Sequence, residues 1–151
     1  MKHITYSHEG GSDAVPEVVQ REVAAAITAV GVKPAKGATT KVRDAFLKGI
    51  QESGWPAEVQ LSKNSKMTVT STKDEIGLCL QTGNMGRMYA DLLKLQTMYL
   101  NKAIKAAIVV VPSRPVAKTL GDNIANAHRL VRELEIFKLA YSVPTLVFSL
   151  E

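Results

Sequence analysis

The stretch Ile76–Gln96, IGLCLQTGNMGRMYADLLKLQ, constrains the fold more than any other part of the chain. Ile76–Gln81 is an apolar run that closes on a glutamine, short enough to be a buried strand. After Thr82, Gly83 and Asn84 the pattern changes. Met88, Leu92, Leu95 and Tyr99, flanked by Tyr89, Leu93 and Leu100, recur at the three- and four-residue spacing of a helix with a broad buried stripe. A strand that passes straight into a helix is the unit of α/β proteins, and the turn joining them is where such proteins place chemistry.

The neighbouring segments extend this unit. Met67, Val69 and Ser71 alternate with Lys66, Thr68 and Thr70, which predicts a partner strand over Lys66–Ser71, with Thr72–Glu75 as a hairpin turn and Glu58–Leu61 as a further strand. Ala106–Val111 is almost wholly apolar, as in a strand covered on both faces. A helix is expected over Leu120–Leu139, using Leu120, Ile124, Ala127, Val131 and Leu134, and a last strand over Val143–Leu150. On the N-terminal side, Lys2–Tyr6 reads as a short strand. Val15, Val18, Val19, Val23, Ala26, Ile27 and Val30 read as a helical stripe stopped by Gly31. Thr39 or Thr40 caps a second helix, which buries Val42, Ala45, Phe46, Gly49 and Ile50 and ends at Gly54. The fold class is α/β, a mixed β-sheet flanked by helices, in a single domain over residues 1–151.

Composition excludes several classes. No apolar run approaches the roughly 20 residues of a membrane span, and the start MKHITYSHEGG lacks the apolar core of a secretory signal. One cysteine permits no internal disulfide, so a reducing, cytoplasmic setting is expected. A net charge of +5 favours polyanionic partners. The positive charge is local: Lys33, Lys36, Lys41, Arg43 and Lys48 face only Asp44 over residues 33–48, and Lys63, Lys66 and Lys73 share residues 63–73 with no acid before Asp74. His3, His8 and His128 lack metal-ligand spacing, so no metal site is expected from them. Cys79, between Leu78 and Leu80, has the surroundings of an inert packed thiol.

Taken as an ordered set, Gly54-Trp55, Leu80-Gln81-Thr82-Gly83-Asn84, the Tyr89–Gln96 helix, AAIVVVP, the Asn126–Leu134 helix and VPTLVF make residues 54–151 resemble a BglII-type restriction endonuclease, of the PD-(D/E)XK nuclease fold. Residues 1–53 share with it only their helical character. The resemblance implies a restriction-endonuclease-like core, double-stranded DNA as partner, a homodimer, and Mg²⁺ held by two carboxylates to activate water at a phosphodiester. Carried onto this chain, its catalytic positions fall on Thr70, Cys79 and Gln81, and only the glutamine is kept. Mg²⁺ prefers hard, charged oxygens, so a threonine hydroxyl and a soft thiol are poor replacements. Glu58, Glu17 and Glu22 are the acids expected to approach. The DNA-contact candidates are Lys36, Lys41, Arg43, Lys63, Lys66, Asn84 and Arg87. The chain closes on a strand, so recognition by further C-terminal elements is not expected. The competing expectation is a non-catalytic pseudo-nuclease: a regulatory or immunity-like module that engages a protein partner.

Overall fold

The computed structural model describes all of residues 1–151. In chain order the elements are β1 (His3–His8), α1 (Gly11–Ala14), α2 (Glu17–Ala29), α3 (Thr39–Glu52), β2 (Val59–Gln60), β3 (Thr68–Val69), β4 (Ser71–Lys73), β5 (Ile76–Leu80), α4 (Met85–Leu100), β6 (Ala106–Pro112), α5 (Arg114–Leu120), α6 (Ala127–Phe137) and β7 (Thr145–Leu150). Five strands form the main sheet in the order β1-β7-β6-β5-β4. The apolar strands β5, β6 and β7 run parallel in its centre, and the outer strands β1 and β4 are antiparallel to their neighbours. A mixed sheet of this kind with helices on both faces is the expected α/β architecture.

Strand alternation divides the core in two. Ile76, Leu78 and Leu80 of β5, Ile108 and Val110 of β6, and Leu146 and Phe148 of β7 point to one side, against Val19, Val23 and Ile27 of α2 and Val42, Phe46 and Ile50 of α3. Cys79, Val109, Val111 and Val147 point to the other, against Met88, Leu92 and Leu95 of α4 and Leu130 and Leu134 of α6. Every residue of β5, β6 and β7 is buried, which explains their uninterrupted apolar character.

The α4 layer approaches β5 closely at Gly77. A Cβ there would stand 2.8 Å from Leu95 Cδ2 and 3.0 Å from Ile104 Cδ1, so a bare backbone is what admits the helix. At the opposite edge, Lys73 of β4 donates to Glu22 Oε1 at 2.7 Å and to the Ser53 carbonyl at 2.9 Å. Trp55 Nε1 donates to the other Glu22 oxygen at 2.8 Å, and this knot ties the sheet edge to α2 and α3.

Several boundaries differ from those expected. The hairpin is tighter, with β4 continuing to Lys73 and only Asp74 and Glu75 in the turn, at φ of 51° and 61°. Two successive positive φ angles match the right-handed twist of a two-residue hairpin. The expected Lys66–Ser71 strand is split at Thr70: β3 pairs with β2 in a separate ribbon, and β4 joins the main sheet. The single helix expected over Leu120–Leu139 is two. Ser113 caps α5 through Val116 N, and Pro115 sits in its first turn, where a missing N–H is harmless. Asn126 then caps α6 through Arg129 N at 3.0 Å. Val18, Leu93 and Leu100, placed on buried stripes by periodicity, are 52%, 70% and 68% exposed.

Candidate functional site

Gln81 follows β5 and keeps that strand's pairing, donating its backbone N–H to the Val110 carbonyl at 2.9 Å. Its side chain lies on the α4 side, two residues beyond Cys79 and four beyond Gly77. Because Leu95 packs at Gly77, Asp91, one turn earlier on the same helix face, comes to the end of the strand. Gln81 Nε2 donates to Asp91 Oδ2 at 2.6 Å, and Lys94 Nζ donates to Asp91 Oδ1 at 3.1 Å. Gln81 Oε1 accepts from Gly83 N at 2.9 Å, so both ends of the amide are engaged and its orientation is fixed. Gly83 is needed here, since a Cβ would stand 2.9 Å from that oxygen.

This chain forms one wall of a cleft of about 280 Å³ that is also lined by Arg43, Glu58, Thr68, Thr70 and Arg87. Asp91 is 8% exposed, a carboxylate almost enclosed yet supplied with two donors. Glu58, at the mouth, accepts from the Thr68 hydroxyl. Thr70 occupies the break between β3 and β4, and its Oγ1 accepts from Leu80 N at 2.9 Å, holding the ribbon against β5. Cys79 lies beneath the cleft, 1% exposed. Burial pushes its thiol far up, the Asp91 charge adds to this, and a Thr70 backbone hydrogen bond and the Lys94 charge only partly oppose it. It stays a neutral thiol in water.

Of the DNA-contact candidates, Arg43 and Arg87 reach this cleft. Asn84 instead caps α4, accepting from Gly86 N at 2.7 Å. Lys36, Lys41, Lys63 and Lys66 are exposed and do not line it. Of the acids expected to approach, only Glu58 does. Glu17 pairs with Arg21 at 3.0 Å on an exposed face, and Glu22 belongs to the Trp55–Lys73 knot. Asp91 and Lys94 are the functional residues that sequence reasoning missed. The available signal was an aspartate at helical spacing between Met88 and Leu95, on the buried stripe of α4.

The Mg²⁺ implied by the resemblance was tested against these donors. Cys79 is too buried and too soft, and the Thr70 oxygen serves Leu80. The Asp91 oxygens already meet an amide and an ammonium, which sets a fixed positive charge beside the carboxylate. No three His, Cys, Asp or Glu side chains come together in a metal-binding group anywhere in the chain. The residues at these positions do not fit a resident Mg²⁺, which needs hard oxygens free of a competing cation.

No helix is long and apolar enough to cross a membrane. No curated protein matches the chain by sequence. Among solved structures, the crystal structure of restriction endonuclease BglII complexed with a DNA 16-mer superposes with a TM-score of 0.80 at 11% identity, over 99% of this chain and 76% of the other. Free BglII gives 0.70 at 13% identity, over 100% and 80%. Identities this low establish the fold. The family profile described as restriction endonuclease BglII/BglIII matches residues 4–150, nearly the whole chain, including the N-terminal part whose resemblance was only helical. The chain therefore belongs to the BglII/BglIII restriction endonuclease family.

Proposed function

We propose that this protein is a DNA-binding member of the type II restriction endonuclease class whose cleft receives a backbone phosphate without metal-dependent cleavage, a pseudo-nuclease. The observation that carries the reading is the Gln81–Asp91–Lys94 chain, in which an ammonium stands beside the buried carboxylate of the cleft. Arg43 and Arg87 line the same cleft and make no ion pair, so they are available to phosphate oxygens. A relative of the same fold is known in complex with DNA, which supports duplex DNA as the polyanion. Gln81 acts here as the positioning residue for Asp91.

The test is binding and cleavage of duplex DNA at low and moderate salt, with Mg²⁺ and then Mn²⁺, for wild type and Gln81→Ala. The reading expects affinity that falls steeply with salt, about 0.9 in log–log slope per phosphate contacted, and intact DNA throughout. Metal-dependent nicking that Gln81→Ala abolishes would make the protein a nuclease.

The resemblance also implies a homodimer, and an apolar face supports it. Leu93 and Leu100 on α4 and Ile136, Phe137 and Leu139 at the end of α6 are all exposed, Leu139 at 97%. They surround a groove of about 270 Å³ lined by Tyr89, Leu92, Leu93, Gln96, Phe137, Ala140 and Tyr141. Exposed apolar area on this scale marks interaction surfaces. Light scattering of wild type and Leu93→Asp/Ile136→Asp tests it, with a dimer that becomes a monomer expected. A regulatory protein partner on this face would instead leave wild type monomeric, and its binding would respond little to salt.

A further inference from the structure

A second pocket, of about 230 Å³, lies across the Gln81–Arg87 loop from the cleft and is walled by Met85, Arg114, Lys118, Asn123 and Arg129. No acid lines it. Arg114 and Lys118 are exposed, stand one turn apart on α5, and make no ion pair. Like charges at that spacing repel, so folding alone does not favour the arrangement, whereas an anion between them does. Arg129 is held in place by Glu133 Oε1 at 2.7 Å and by Tyr89 Oη at 3.0 Å, which fixes a third cation at the wall.

The pocket is mechanically part of the cleft. Ala125 N donates to the Gly83 carbonyl at 2.8 Å, and Met85 N donates to the Asn123 carbonyl at 3.2 Å, so the loop before α6 is stitched to the loop that carries Gln81 and Arg87. Both pockets open at the ends of the adjacent parallel strands β5 and β6, where Gln81 and Ser113 follow.

We propose that Arg114 and Lys118 bind a second backbone phosphate of the duplex that meets Arg43 and Arg87, so that the DNA straddles the Gln81–Arg87 loop. This rests on the DNA-binding reading above. The cations of the two pockets then form one track across the C-terminal edge of the sheet, with Arg129 closing its far wall.

Anisotropy of a short labelled duplex, followed from low to moderate salt, tests the proposal with wild type, Arg114→Ala/Lys118→Ala, Lys118→Glu and Lys105→Ala. Lys105 is exposed at the opposite end of β6 and serves as the charge control. The expected result is a log–log salt slope shallower by about one to two in the double variant, at about 0.9 per lost phosphate contact, with weaker binding by Lys118→Glu and an unchanged slope for Lys105→Ala. A slope in the double variant equal to wild type overturns this proposal and leaves the DNA reading standing. Wild type that shows no salt-sensitive binding overturns both.

Discussion

The cleft below Gln81 and the pocket walled by Arg114 stand on either side of one loop and handle charge in opposite ways. In the cleft, Lys94 is matched to a nearly enclosed carboxylate, and the amide of Gln81 completes the set. In the pocket, Arg114 and Lys118 face no acid at all. The first arrangement satisfies itself and has little need of a ligand. The second is left with uncompensated positive charge, which only solvent or an external anion relieves. A buried pair contributes to a defined structure, while exposed cations contribute to affinity for polyanions.

Substitution separates the two regions by kind of effect. Asp91→Ala leaves Gln81 Nε2 and the Lys94 ammonium without their partner in a mostly enclosed site, and is expected to destabilise the fold by about 1–3 kcal/mol. Arg114→Ala/Lys118→Ala, at exposed positions, is expected to stay within about 0.5 kcal/mol of wild type. Urea midpoints compare them directly, and equal losses would erase the distinction.

A second contrast concerns metal. Removing Lys94 takes away a like charge whose repulsion at 4 Å is about 4 kcal/mol at an effective dielectric constant near 20. Lys94→Met should therefore bind Mn²⁺ at least about tenfold more tightly than wild type in calorimetric titration. No gain in affinity would mean that something other than the ammonium keeps a dication out of the cleft.

The smallest expected effect is on pH dependence. Burial pushes the Glu133 carboxyl upward, but the hydrogen bonds from Arg129 and Tyr89 outweigh it and hold Glu133 below its ordinary 4.5. A lowered value in the folded state means a contribution that is present above 4.5 and lost as pH falls through the folded value. Glu133→Gln should flatten the acid limb of a stability profile slightly, and a profile identical to wild type would remove this triad from the account.

Much of this was legible in the sequence, for identifiable reasons. β5, β6 and β7 are buried on both faces, so their apolar runs declare them, and the turn residues after Gln81 mark the start of α4. The break between α5 and α6 was obscured because Leu120, Ile124 and Ala127 keep helical spacing across a loop. Gly121, Asp122 and Asn123 were the competing turn signal. The exposed Leu93 and Leu100 show periodicity overridden by the width of the layer that α4 meets. The site was half legible. Thr70, Cys79 and Gln81 were placed by position along a hairpin, but Asp91 and Lys94 arrive from a helix, and their meeting with Gln81 depends on how closely Gly77 lets that helix approach. Nothing in local spacing encodes that distance.

The most direct test of the central claim is incubation of supercoiled DNA with the protein and Mn²⁺ at low salt, alongside a retention assay on the same DNA. The account predicts salt-sensitive retention with the DNA left intact. Nicking that requires the metal and disappears in Asp91→Asn would contradict it, and would make Asp91 the carboxylate of a working nuclease.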